Sequence, residues 1–252
     1  MIVALKLLLS PLLIAAASLI GRKWGPAVSG WFTGFPFISA PISIVLALQN
    51  GLDFSANAAL GTLGGQACVC MFALVYIVTA KNMPWWLSSI LALTAFSAST
   101  AAWNAVSLSL LPALFILLAI VMLLARFIPA EKVQLIGATH PWWDLPARMV
   151  TALVFVAGLT SASRYLGPQL SGILSAFPVF GLILAAFAHA QHGGMAARQL
   201  LRGSILGSFG IAGFYVTIAW LLPVTGSLWI YLLAALMAVA ANRISLRFIT
   251  PK

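Results

Sequence analysis

Charged side chains are scarce in this sequence, and acidic ones are almost missing. Only 6% of the 252 residues are Asp, Glu, Lys or Arg, and the three acids are Asp53, Glu131 and Asp144. A soluble domain carries about 25% charged residues, so this chain lacks the means to build an ordinary water-facing surface. With 63% hydrophobic residues and a mean hydropathy of +1.10, the composition excludes a soluble globular protein.

Signatures of catalysis and of metal binding are missing as well. The sequence contains no P-loop, no HExxH motif and no pair of acids inside an apolar run, so we expect no enzymatic activity, no cofactor and no metal site. Cys68 and Cys70 lie too close together for an ordinary disulfide and are interpreted as small core residues. The net charge of +10 comes from single basic residues at the ends of apolar runs, which indicates membrane topology rather than nucleic-acid binding.

Apolar runs of eighteen or more residues, by contrast, recur along the whole chain. A bilayer core of roughly 30 Å needs about 20 residues per helix, so we predict an all-α integral membrane protein. The division of residues 84–126 into two helices depends on a weak polar seam from Ser97 to Asn104. About nine transmembrane helices result, at 2–20, 27–48, 55–79, 85–100, 104–126, 145–162, 168–190, 198–222 and 227–247.

The distribution of basic residues predicts the orientation of these helices. With the N-terminus outside and the C-terminus inside, eleven of the thirteen Lys and Arg residues lie on the cytoplasmic side. Such an excess on the cytoplasmic side is typical of multi-pass membrane proteins. The two exceptions are Lys6 and Arg164.

One motif occurs twice, 142 residues apart. The segments 22–36 and 164–178 share seven of fifteen residues in a pattern GPxxSGxxxxFP. Lys6 and Arg148 are related by the same offset, as are Arg22 and Arg164. Because five predicted helices separate the copies, they would lie in opposite orientations. We therefore predict two inverted repeats, 1–101 (helices 1–4) and 144–252 (helices 6–9), joined through helix 5 and a cytoplasmic linker at 102–143.

The two Phe-Pro steps are the predicted centre of the protein. Pro36 and Pro178 fall near the middle of helices 2 and 7, and Pro41 interrupts helix 2 a second time. Proline removes a backbone donor, and freed backbone groups at that depth must be buried or line a polar cavity. Secondary transporters built from inverted repeats use such broken helices at their substrate sites. The alternative is a plain proline kink.

Candidate site residues follow from this repeat. Gln49 and Gln191 end the broken helices before Gly51 and Gly193, which are interpreted as C-caps. His189 is the histidine placed well inside a predicted helix, with either a ligand or an interhelical hydrogen bond as its role. The predicted substrate residues are Phe35, Pro36, Pro41, Gln49, Phe177, Pro178, His189 and Gln191. Four cations would attract an anionic solute into symmetric vestibules or would reach towards lipid headgroups, namely Lys6, Arg22, Arg148 and Arg164.

The favoured function is a small transporter or permease that moves a solute, either anionic or lipid-like, by alternating access between the repeats. The alternative is a membrane scaffold or sensor, and an intramembrane enzyme acting on lipid is the weakest hypothesis. Expected partners are the lipid bilayer and a small-molecule or lipid substrate, with a homo-oligomer left open. The duplicated element resembles that of uncharacterised bacterial multi-pass inner-membrane proteins. This resemblance covers nearly the whole chain and implies no particular activity.

Overall fold

The computed structural model describes residues 2–106, 108–131, 133, 141–163 and 177–249, and for 2–6, 160, 162 and 163 it describes the backbone alone. Within these residues the chain is helical and contains no strand. The helices are α1 Ile2–Trp24, α2 Pro26–Phe32, α3 Ser39–Asn50, α4 Leu52–Thr79, α5 Trp85–Asn104, α6 Leu110–Phe127, α7 Asp144–Ser163, α8 Val179–His192, α9 Gly194–Thr225 and α10 Ile230–Ser245, followed by a 3₁₀ turn Leu246–Phe248.

Five helical segments are long and apolar enough to cross a membrane, by length and composition: Leu7–Trp24, Leu52–Thr79, Leu110–Phe127, Gly194–Thr225 and Ile230–Phe248. Large apolar side chains point outward from them. On α6, for example, Leu111, Phe115 and Phe127 are each more than 60% exposed. Water penalises such a surface, whereas lipid tails solvate it. The chain is therefore an all-helical, multi-pass membrane protein.

The helix ends collect at two opposite faces of the bundle. Arg22 near the end of α1 and Gln191 near the end of α8 both contact Asp144 at the start of α7. We call this end the Asp144 face. At the other end Asp53, Leu110 and Pro223, from α4, α6 and α9, line one small cavity. That end also carries the last residue of α5 and is called the Asn104 face.

Helices were found close to the predicted ranges wherever the residues are described. The region 84–126 does contain two helices, α5 and α6, with the break at 105–109. Predicted helix 2 is broken into α2 and α3 around Pro36, as expected. Pro41 does not interrupt it a second time, because Pro41 lies in the first turn of α3, where a missing backbone donor costs nothing. The N-terminal part of predicted helix 7, including Gly167, Pro168, Ser171 and Gly172, lies outside the described residues.

Helix boundaries recur at the spacing of the sequence motif. The ends of α3 and α8 are 142 residues apart, as are the starts of α4 and α9. Between these two pairs stand Gly51 and Gly193, with φ of 93° and 82°, a backbone conformation that glycine adopts readily. The predicted C-caps are confirmed.

The centre of the bundle is α9, which packs against α4, α2 and α10. Its contact with α2 is made through glycines on both helices. A Cβ added to Gly30 would collide with the carbonyl of Leu200, and one added to Gly203 would collide with the carbonyl of Ala27. Such close backbone approach is the usual use of small residues between membrane helices. Ser29 donates a 2.7 Å hydrogen bond to the carbonyl of Ala17 on α1 and ties α2 to its other neighbour.

Candidate functional site: a cavity between the two Phe-Pro steps

The backbone at Pro36 leaves the helix in a tight turn. Pro36 has no N–H to give to the carbonyl of Phe32, and the N–H of Phe35 bonds that carbonyl instead, at 3.3 Å. The N–H of Phe37 then donates across the proline to the carbonyl of Phe35, at 2.8 Å, and Ala40 donates to the carbonyl of Pro36. The helix resumes at Ser39.

The second Phe-Pro step has the same turn. The N–H of Val179 donates to the carbonyl of Phe177 at 2.8 Å, and Leu182 donates to the carbonyl of Pro178 at 2.9 Å. Pro178 has φ −78° and ψ 54°, the values of an inverse γ-turn. Two helices, α3 and α8, thus begin from equivalent turns 142 residues apart.

Both steps reach one cavity of about 1040 Å³. Phe35 lines it from the first step, and Phe177 and Pro178 line it from the second. This volume is at the upper end of the range for small-molecule sites. The cavity extends to the Asn104 face, where Asn104 and Val106 form part of its wall.

Towards the Asp144 face the cavity ends against packed side chains. Phe72 and Leu201 are among the last lining residues in that direction, and both are buried. Beyond them Tyr76 on α4 contacts His189 on α8, with 3.4 Å between the hydroxyl and Nδ1. His189 therefore lies at an interhelical contact and outside the cavity wall.

A buried ionic network joins the helix ends at the Asp144 face. One carboxylate oxygen of Asp144 accepts from Arg22 at 2.9 Å, and the other accepts from Arg148 at 2.8 Å and from the amide of Gln191. The guanidinium of Arg148 also bonds Gln191 at 3.1 Å and stacks 4.9 Å from the ring centre of Phe187. Burial by itself raises the pKa of Asp144, but the hydrogen bonds from Arg148, Gln191 and Arg22 outweigh it and hold that pKa below its ordinary value.

This network links the ends of three helices that also form the cavity wall, α1, α7 and α8. Ala17, Val156 and Gly181 line the cavity from α1, α7 and α8. Between the cavity and the network these helices bury apolar side chains, among them Ala152 and Leu184. Among the described residues, the cavity wall thus reaches the Asn104 face and is closed by packed side chains towards the Asp144 face.

The structure brings together some of the predicted site residues and separates others. Phe35, Phe177 and Pro178 line the cavity, and Pro36 forms the first turn without being part of the wall. Arg22, Arg148 and Gln191 meet in the network, so the two arginines neutralise Asp144 instead of facing a vestibule. Gln49 is exposed at the end of α3. The side chain of Lys6 and the whole of Arg164 lie outside the described residues.

Sequence reasoning missed the polar side chains of the cavity wall. Asn57, Thr62 and Gln66 on α4 line it, and Ser204 on α9 faces Thr33 at 3.1 Å. A usable signal existed, because amide side chains inside an apolar helix are costly unless they have a partner or line a polar space.

No group of three His, Cys, Asp or Glu side chains arranged to hold a metal ion occurs among the described residues. Comparison with protein-family models, with curated proteins and with solved structures gives no match to this chain.

Proposed function

We propose that this protein is a small membrane transporter that carries its solute through the central cavity by alternating access. The observation that carries the proposal is the cavity itself. It touches both Phe-Pro steps, extends to the Asn104 face, and stops short of the Asp144 face. A site open to one side and closed to the other is half of a transport cycle.

The other half requires two equivalent arrangements of the same helices, which inverted repeats supply. In this proposal α1–α5 and α7–α10 are the two repeats, in nine membrane crossings with the broken helices counted once each. Their opposite orientation is supported by α1, which ends at the Asp144 face, and by α7, which begins there. The excess of basic residues assigns the Asp144 face to the cytoplasm and the Asn104 face to the outside.

The Asp144 network acts as the cytoplasmic gate. For the cavity to open inward, α1 must separate from α7 and α8, and each contact of Asp144 with Arg22 and Gln191 must break. Asp144 would keep Arg148 on its own helix but lose its other two hydrogen-bond donors, so the network favours the outward-open state. Position 2, the counterpart of Asp144, is Ile, so the outer gate cannot use the same ion pair.

Topology is tested by reporter fusions at two helix ends, one at each face. A fusion after Asp53 is expected to report the outside, and a fusion after His192 the cytoplasm. If both reported the same side, the inverted arrangement would be wrong.

Alternation is tested by spin-label distances across the gate. We replace Cys68 and Cys70 by alanine and place one pair of labels at Trp24→Cys and Trp143→Cys on the Asp144 face, where both native side chains are exposed. A second pair, at Asn104→Cys and Trp229→Cys, reports the opposite face. Asp144→Asn is expected to add a longer distance at the first pair and a shorter one at the second, while the matched control Asp53→Asn changes neither. If each pair gave a single distance that was the same in every variant, transport by alternating access would be contradicted.

The alternative role is a static scaffold. The glycine contacts between α2 and α9 favour it, since backbone groups in van der Waals contact make a stiff interface. It predicts the unchanged distances just described.

A further inference from the structure

The described wall of the central cavity carries no formal charge. Among its described lining residues there is no Asp, Glu, Lys, Arg or His. Its polar groups are amides and hydroxyls, with Asn57 and Asn104 near the mouth and Gln66, Thr33 and Ser204 deeper.

Four buried or partly buried arginines of the described chain have partners outside the central cavity. Arg22 and Arg148 pair with Asp144. Arg198 lies 3.6 Å from Glu131, and Arg202 donates to the carbonyls of Ile128 and Phe248. Asp53, at the Asn104 face, lines a second small cavity, which shares Asn57 and Leu60 with the central one. The four arginines are thus engaged outside the central cavity, and Asp53 lies beside its mouth and not in its described wall.

Aromatic rings flank the cavity at both Phe-Pro steps. Phe35 stacks on Phe37 with ring centres 5.4 Å apart, and Phe37 lies 4.9 Å from Phe32. On the other side Phe177 stacks against Phe155 at 6.2 Å. Phe35 and Phe177 both line the cavity, so an apolar body inside it can pack against an aromatic ring at each step.

The same wall also contains side-chain amides that can bind a polar group of a ligand. The amide nitrogen of Gln66 donates to Ser208. Asn57, which lies nearer the mouth on α4, and Asn104 provide further side-chain amides. Gly61 lies on this side of α4 with open space beyond it. One end of a bound molecule is therefore met by amides and the rest by aromatic and aliphatic carbon.

We infer that the cavity binds an uncharged amphiphile: a flat apolar body between the two Phe-Pro steps with a hydrogen-bonding group directed to the amide side chains. The inference rests on the proposed function and names its substrate class. Of the two solutes that the sequence suggested, anionic or lipid-like, it favours the second. Among the described lining residues an ion would lose its water without gaining a counter-charge, whereas an alcohol or amide needs only the groups present.

The test uses three pyrene probes that differ in one group: pyrenemethanol is neutral, pyrenecarboxylate is an anion and pyrenemethylamine is a cation. Binding to the full chain in lipid nanodiscs is followed by energy transfer from tryptophan, since Trp103 lines the cavity. Gly61→Phe adds an aromatic side chain to the cavity wall and narrows the cavity. Gly158→Phe is the matched control, because Gly158 is likewise exposed with open space around it but is not part of the cavity wall.

We expect saturable binding of pyrenemethanol that is weakened at least about tenfold, or 1.4 kcal/mol, by Gly61→Phe and is retained in Gly158→Phe. Both charged probes should bind at least about tenfold more weakly than the alcohol. Equal or tighter cavity-dependent binding of either ion would overturn the inference, and so would the absence of cavity-dependent binding by any probe.

The two proposals fail in different ways. If pyrenemethanol binds as expected while the spin-label distances never change, the cavity is a binding site for neutral amphiphiles and the transport proposal is wrong. If the distances change but an ion is the preferred ligand, transport stands and the neutral substrate class is wrong.

Discussion

The side-chain amide of Gln66 donates a 2.8 Å hydrogen bond to the hydroxyl of Ser208, the residue 142 positions later. In the proposed inverted repeat these two residues are counterparts. Residues related by a two-fold axis touch each other only when both lie beside that axis. Since Gln66 also lines the cavity, the proposed axis passes through the cavity wall.

The first prediction concerns this hydrogen bond. Gln66→Ala and Ser208→Ala should each lower the thermal stability of the purified protein, and the double variant should lose less than the sum. The expected coupling is about 0.6 kcal/mol, the usual size for interhelical hydrogen bonds in membranes. It is measured by a double-mutant cycle, with Thr94→Ala as the control because Thr94 bonds only within its own exposed helix turn. Strict additivity would mean that the pair is not coupled.

The second prediction compares one substitution at two glycines. Gly30→Ala forces its Cβ onto the backbone of Leu200 and should destabilise the protein by about 1–3 kcal/mol. Gly61→Ala meets nothing within 4 Å and should be neutral, or stabilising by about 0.5–1 kcal/mol, since alanine favours the helix. Thermal unfolding in detergent measures both. Equal effects would show that α2 and α9 are not in close contact.

The third prediction concerns pH. The pKa of Asp144 is held below its ordinary value in the folded protein, so its pairing is fully present at pH values above the ordinary Asp pKa of about 3.9 and is lost as the pH falls through the lowered value. The stability difference between the native protein and Asp144→Asn should therefore be constant between about pH 5 and pH 8 and shrink below about pH 4. Melting temperatures of both proteins across this range test it. A difference that does not decrease at all as the pH falls below the ordinary Asp pKa of about 3.9 would argue against the network.

The fourth prediction separates two prolines. Pro36→Ala restores a backbone donor four residues after Phe32, so the helix should extend into residues 33–38 and slow their hydrogen exchange. Pro41→Ala lies in the first turn of α3 and should leave that exchange unchanged. Mass spectrometry of the exchanged peptides measures both. Equal protection in the two variants would show that Pro36 does not maintain the break.

Local sequence features were enough for the helices and their breaks. Each depends on neighbouring residues: apolar runs define α4, α6 and α9, Gly51 ends α3, and Pro36 ends α2. Pro41 was misjudged because a proline in a first helical turn looks the same in sequence as one in a helix interior.

Contacts between distant residues were not predictable in the same way. Arg148 follows Asp144 by four residues, the spacing of an ion pair on one helix, but nothing in the sequence paired Arg22 with Asp144, which is 122 residues away. The cavity wall was equally hidden, because the helix face on which Asn57 and Gln66 lie depends on how α4 packs against α9. Only the offset of 142 carried long-range information, and it led to the two Phe-Pro steps.

The central claim is that one site is reached from both faces in turn. Its most direct test is a single cysteine at Ser204, which lines the cavity about 15 Å along α9 from the Asp144 face. Cys68 and Cys70 are first replaced by alanine, and an impermeant thiol reagent is added to right-side-out and to inside-out vesicles. Val106→Cys and Trp24→Cys serve as controls that should react from one side each. We predict that Ser204→Cys reacts from both sides, with the cytoplasmic reaction accelerated by Asp144→Asn. Reaction from the Asn104 face alone, with or without Asp144→Asn, would contradict alternating access.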